Sequence, residues 1–568
     1  MFLSYRKNLQ IIESLTCFFI LFLPVFTSAQ STFIPLGDKQ YSILDRLEIK
    51  TKNPEFLFSG VKPYSRITAV RLVKYTDSML QIDKGYAKLS PVDHYDMDHL
   101  LMDNSEWSGT QESFLSKKPV FGKNGIYKSK DNLFEVNNGD FFLAINPVLY
   151  FIGGKEKGNQ RYLYQNTRGL TLRGRIGSQI GFNLYLTDNQ ERDPAYVMQY
   201  INQNRAVPGE GFYKHVVNTN TDGFDYFDSR GYVTWNAGKH ITMQFGFDKN
   251  VIGDGYRSLF LSDFSNNATF LKVNGRFGKI NYENILMELY QPFILRSGDV
   301  ELPRKYARMS YLSVNAARWL NIGLFEGTIF GGSNHFDGSY LIPVMFVTPT
   351  SGSNAIVGLS AKANVAGKFQ FYGQLISDES EVGQLFNSNG SWQSRTGFQL
   401  GGKYVDAFGV KNMDIQLEMN QVRPYTYAYS DSVANYTHYN QPLAHPLGAN
   451  FRELVGILKI QPLPKLYLEA QVIHYFKGLD SSGLNFGGNP FENYNNRVMD
   501  LGNSIGSGNR ATANIFSGII SYEVRENMFF DLSGLYRTYL IARTNQQTNT
   551  TAISLSFRWN ISRREFNF

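Results

Sequence analysis

Among 568 residues the chain holds a single cysteine, Cys17, and it lies within an apolar N-terminal run. The remainder therefore has neither a disulfide framework nor a cysteine metal site. Past that run no stretch of 18 apolar residues occurs, which excludes a chain threaded through a bilayer by helices. Blocks of Lys and Arg are missing as well. The net charge of +7 is spread thinly along the chain, so there is no electrostatic footprint for nucleic acid. Tryptophan is scarce, at 5 residues. No HExxH, GxSxG, Walker-type glycine loop or CxxC is found, which removes the motif-marked enzymes. What is plentiful is tyrosine (35), phenylalanine (44) and glycine (51), a mixture suited to short twisted strands and tight turns.

The first 29 residues read as a secretory signal peptide. Arg6 and Lys7 supply positive charge, residues 15–26 (LTCFFILFLPVF) form the apolar stretch, and Thr27-Ser28-Ala29 offers a small-residue cleavage site before Gln30. The apolar stretch contains Pro24 and is shorter than the roughly 20 residues of a spanning helix. Cys17 precedes its end, so no lipid anchor is expected there.

Mean hydropathy is −0.29, the value of a water-soluble chain. Transmembrane barrels are the exception, because each strand alternates lipid-facing apolar residues with lumen-facing polar ones. That alternation recurs. Ile553, Leu555, Phe557, Trp559 and Ile561 interleave with Ser554, Ser556, Arg558 and Asn560. Ile241, Met243, Phe245 and Phe247 interleave with Thr242, Gln244 and Gly246. Met413, Ile415, Leu417 and Met419 surround Asp414, Gln416 and Glu418, while Leu466, Leu468, Ala470 and Val472 surround Tyr467, Glu469 and Gln471. Ile180, Phe182, Leu184 and Leu186 make a similar face. Glu418 and Glu469 are tolerable only if that face meets a wet lumen. A secreted β-sandwich also alternates, but runs of eight or more exceed the roughly five or six usual in soluble sheets.

Brief turns at 175–181, 462–465 and 525–527 separate paired runs, and longer polar stretches fall at 188–220, 378–391, 425–450 and 478–510. Short turns at one rim and long loops at the other are expected of a barrel. Residues 30–135 differ. Ile43, Leu44 and Leu47, and the segment 95–107, have helical spacing. The expected architecture is thus an all-β transmembrane barrel over 136–568, with about 16–18 antiparallel strands, preceded by a small α-helical periplasmic element. The terminal Phe568, after a strand-like segment, looks like a last-strand signal for outer-membrane assembly machinery.

Chemistry is sparse. Asp93, His94, Asp96, Asp98 and His99 fit no standard metal-ligand spacing, and Asp248, Asn250 and Asp254 lack the glycine placement and closing glutamate of a calcium loop. No carboxylate pair and no Ser/His pair is singled out, so no enzyme activity, metal or cofactor is expected. One segment, 245–270, sets Asp248, Lys249, Asp254, Arg257, Asp263, Asn266 and Asn267 among glycines and aromatics. Polar groups beside flat rings suit a carbohydrate site. They suit equally well an inward loop that cross-braces the lumen by charge pairs.

Three segments carry a resemblance: IPLGDKQYSILDRLEI (34–49), GFDKNVIGDGYRSLFLSDFSNNATFLKV (246–273) and PLAHPLGANFREL (442–454). In this order they resemble the Wzi-type capsule-assembly outer-membrane barrels and their Bacteroidetes relatives, the gliding-motility protein RemB family. The resemblance implies a barrel with a periplasmic helical element that attaches capsule or exopolysaccharide, or serves motility and adhesin machinery at the cell surface. It adds His445, Asn450 and Arg452 to the candidate glycan or lumen-network residues. Its implied partners are outer-membrane lipid, surface polysaccharide or motility and adhesin proteins, and not nucleic acid. A porin-like or substrate-selective channel is the alternative reading, and an outer-membrane lipid or glycan hydrolase a third.

Overall fold

In a computed structural model the chain is described over residues 31–52, 57–109, 112–116, 127–217, 222–292, 302–330, 338–346, 353–378, 389–481 and 483–568. The expected signal peptide and Cys17 lie outside these residues.

A closed barrel of 18 antiparallel strands dominates the chain, from Phe141–Glu156 to Gln546–Trp559. Each long strand pairs with its neighbour in sequence. The ring closes where the last meets the first, from Ala552 opposite Glu156 to Trp559 opposite Leu149. Closure satisfies the backbone groups that an open edge would leave unpaired in lipid. No helix of the described residues is long and apolar enough to cross a membrane.

Side-chain period sorts the strand residues into two environments. Phe245, Leu400, Leu417, Ile553 and Leu555 stand on the outside, Leu555 with 60% of its surface exposed. Gln244, Gln399, Glu418 and Ser556, their sequence neighbours, are buried inside. Such a surface is wrong for water and right for hydrocarbon.

Short turns gather at one rim, as between Ile176 and Ile180 and between Arg525 and Met528. In outer-membrane barrels that rim faces the periplasm. Three helices sit against it: α1 (Gln40–Thr51), α2 (Arg66–Ile82) and α3 (Pro91–Asp103). Leu44, Leu47, Ala69, Leu72, Val73, Met97 and Leu100 form their common core. A capping box starts α3, with Ser90 Oγ accepting from the Asp93 N–H and Asp93 accepting in return from the Ser90 N–H. The pattern of Ile43, Leu44 and Leu47 foreshadowed α1, and the 95–107 pattern overlaps α3. The longest helix, α2, was not anticipated. A fourth helix, α4 (Ala195–Asn204), lies in the opposite rim's 193–213 connection.

The end of the chain departs from expectation. The last strand stops at Trp559, so neither Ile561 nor Phe568 belongs to it. Asn560 takes a left-handed conformation, φ 54°, which asparagine tolerates better than most residues. Its amide also donates to the Pro147 carbonyl at 2.8 Å. The chain turns there into the lumen, and Phe568 ends up 9% exposed against Tyr200, Tyr196 and Phe264.

Candidate functional site

The helical element is fastened to the short-turn rim by ion pairs. Arg46 on α1 meets Asp93 at 2.9 Å, Asp406 at 3.0 Å and Asp414, while Lys50 reaches Asp93 and Asp406 at 2.6 and 2.8 Å. Lys39 binds Glu523 at 2.7 Å and also Glu526, which takes His99 of α3 as well. Burial would raise the Glu526 carboxyl, but Lys39 and His99 outweigh it and hold it down to about 2. Asp96 shows the opposite balance. Burial pushes it up to about 7, although Gln461 donates to it at 3.0 Å. These contacts take up Asp93, Asp96 and His99 while His94 and Asp98 stand exposed, and among the described residues no cluster fit for a metal ion is found.

Within the barrel, the 249–267 segment folds inward and is held by the wall. Glu418 accepts the Tyr256 and Arg257 N–H groups at 2.7 and 3.0 Å and the Tyr372 hydroxyl at 2.8 Å. Arg257 Nη2 lies 3.0 Å from Glu453, whose other oxygen accepts from His445 Nε2 at 2.8 Å. The Leu447 N–H donates to His445 Nδ1 at 3.2 Å, which leaves the ring proton on Nε2. Asp254 accepts from Ser59 at 2.9 Å and lies 3.4 Å from Lys362, which also pairs with Glu48 of α1 at 2.6 Å. A second inward segment, 423–450, packs on the first. Tyr427 and Tyr436 donate to the carbonyls of Leu259 and Phe260 at 2.8 and 2.7 Å. Phe260 stacks on Phe325 of the wall at 4.5 Å, a seat that Gly358 keeps clear.

Residues 560–568 run up the lumen as a third brace. Ser562 donates to the Leu36 carbonyl at 3.0 Å, Arg563 meets Glu469 at 2.9 Å, and Arg564 meets Glu191 at 2.6 Å. The Phe566 carbonyl accepts from Tyr196 at 2.6 Å, and Asn567 donates to Gln471 at 2.6 Å while its carbonyl takes Arg257.

The sequence-derived candidates thus separate. Asp254, Arg257 and His445 belong to the bracing network. Asn267 joins it by donating to Asp228 at 2.9 Å. Asp248 lines an inner chamber of about 550 Å³ beside Lys249, Arg230 and Arg564. Asp263 is exposed, with its carbonyl taking Lys249 at 3.1 Å, and Asn266 is half-buried against Gly211. Asn450 is buried among loop backbones, accepting from Gly506 at 2.7 Å and donating to Ser507 at 2.9 Å. Arg452 stands apart. Strand alternation turns it outward, where it donates to Gln421 at 2.7 Å. Within residues 245–270, Asp254, Arg257 and Asn267 make contacts of the cross-bracing kind.

A second hollow, of about 1120 Å³, opens at the long-loop rim. Its walls come from α4, the 156–161 loop, the 442–448 and 489–491 segments and the upper ends of the strands that hold Arg192, Tyr475, Arg537 and Thr550, with Phe568 at its base. Arg537 is 7% exposed there, its guanidinium 4.5 Å from the Tyr196 ring centre and 4.8 Å from that of Tyr539. Lys477, Tyr475, Tyr200 and Phe491 share the lining. The sequence reading passed over all of these, because they come in ones and twos from separate elements: Tyr196 and Tyr200 from α4, Tyr475 and Lys477 from one strand, Arg537 and Tyr539 from another, and Phe491 from a loop.

No family model and no curated protein sequence matches the chain. Solved structures do. One is Wzi, an outer-membrane protein involved in group 1 capsule assembly in Escherichia coli and described as a carbohydrate-binding β-barrel. It shares 13% identity at TM-score 0.57, covering 94% of this chain and 100% of that one. Pseudomonas aeruginosa OprD (12% identity, TM-score 0.41, 73% and 94% covered) and Acinetobacter baumannii OccAB1 (10%, 0.41, 74% and 96%) are looser likenesses. At 13% identity what is shared with Wzi is the barrel fold. The comparisons do not bear on the gliding-motility resemblance.

Proposed function

We propose that this chain is a non-enzymatic outer-membrane barrel that holds surface polysaccharide at the cell exterior. One contrast carries the reading. The lumen is crossed by the chain's own 249–267, 423–450 and 560–568 segments, whereas the long-loop rim keeps an aromatic-lined hollow open. A barrel so braced is poorly arranged for diffusion and well arranged to present a rigid outer surface. Flat rings beside fixed polar groups are what sugar C–H faces and hydroxyls require. The likeness to a barrel described as carbohydrate-binding agrees with this reading. Deleting the gene should release capsule or exopolysaccharide from cells into the medium, and a copy restored in trans should return it. Unchanged retention would contradict the proposal, and a defect confined to surface spreading would favour the motility and adhesin reading instead.

A further inference from the structure

Charges in the outer hollow are unevenly matched. Glu156 accepts from the Ala195 N–H at 3.1 Å, at the start of α4, and from Asn159 at 3.1 Å. Arg161 and Arg192 share Asp222, Arg192 at 3.2 Å. Arg537 has no such partner. Among the described residues no carboxylate lies within ion-pair distance of it, its Nε–H is buried and unbonded, and its one hydrogen bond is a long 3.5 Å contact with the Tyr475 hydroxyl. Lys477, on the same lining, has no ion-pair partner among the described residues either, and the Tyr200 hydroxyl is buried without a hydrogen bond.

A buried guanidinium left without an anion is costly, and the fold spends acids freely elsewhere in the lumen. The Tyr196 and Tyr539 rings fix its plane. A flat, fixed guanidinium matches a carboxylate, which it can hold by two parallel hydrogen bonds. The neighbouring rings then supply faces for a pyranose. We infer that the outer hollow binds an acidic glycan, with a uronate carboxylate on Arg537, Lys477 as the accessory cation and Tyr196, Tyr539 and Phe491 as sugar platforms. This rests on the polysaccharide reading above and names its substrate class.

The test uses the full-length barrel in detergent and calorimetric titration with oligomers of galacturonate, glucuronate and mannuronate. The same oligomers as methyl esters serve as neutral controls, and purified lipopolysaccharide as a phosphate-bearing lipid control. At least one acid oligomer should bind, roughly tenfold or more tighter than its ester. R537Q should erase that preference, bringing the acid-to-ester affinity ratio to about one, and R537K should restore part of it. K477Q should weaken acid binding by a smaller factor. Heat-modifiable migration on gels certifies that each variant is a folded barrel; if R537Q does not fold, K477Q and the acid-to-ester ratio of the unaltered protein carry the test. Equal binding of acid and ester, no binding of any acid oligomer, or R537Q and K477Q both without effect would overturn the inference. So would a preference for lipopolysaccharide that Arg537 controls. If esters bind while acids gain nothing, the glycan reading survives and only the uronate assignment fails. If no oligomer binds and the deletion strain retains its polysaccharide, both fail.

Discussion

Two ends of one lumen treat charge differently. At the short-turn rim Arg46 meets three aspartates and Lys39 two glutamates. At the long-loop rim Arg537 lies against two tyrosine rings, with no carboxylate within ion-pair distance among the described residues. Desolvating a charge is costly unless a partner answers it, so the matched end reads as a clasp and the unmatched end as a receptor. The difference teaches that burial alone does not distinguish structure from site; the missing partner does.

Substitutions can break this contrast in graded steps. Removing Glu453 should have the largest effect, since Arg257 and His445 would both lose their buried partner. Glu453→Ala is expected to cost about 3–5 kcal/mol, read as a lowered midpoint in detergent thermal unfolding. An unchanged midpoint would mean the 249–267 segment does not depend on the pair. Leu555→Arg, on the opposite face of the wall, should cost about 2–4 kcal/mol if it sits near the bilayer midplane, measured by urea titration in lipid vesicles. Its inward neighbour Ser556 should tolerate Ala far better.

The clasp should also respond to pH through Asp96. Burial raises its folded value to about 7, against about 3.9 unfolded. Its contribution is therefore full below the unfolded value and lost as pH rises through about 7. Asp96→Asn should flatten the difference in thermal stability measured between about pH 4 and pH 7. Glu526, held down to about 2, runs the other way and loses its contribution only as pH falls toward that value. A D96N profile that parallels the unaltered protein would show that Asp96 is solvated. Arg452→Ala, on the outer face, should change stability by no more than about 0.5 kcal/mol and leave glycan titrations untouched.

Much of the fold was legible because a strand's period is two. Ile553 and Leu555, or Glu418 and Glu469, declare their faces without any knowledge of their neighbours. The end of the chain misled for the same reason: Asn560 and Ile561 continue the alternation of 553–559 by one more step, and only the left-handed Asn560 ends the strand. Helix α2 (RITAVRLVKYTDSMLQI) mixes β-branched residues into its pattern, which weakens the helical signal. The outer hollow was illegible on principle. Tyr196, Lys477 and the Arg537–Tyr539 pair are far apart in sequence and are brought together only by barrel closure and the descent of 560–568.

The lumen is occupied by the chain's own inward segments. Planar-bilayer recording of the purified barrel tests that directly: the intact protein should show no steady conductance, and Glu453→Ala or removal of residues 560–568 should produce openings. Stable, ohmic conductance from the intact protein would contradict a filled lumen and return the chain to the porin-like reading.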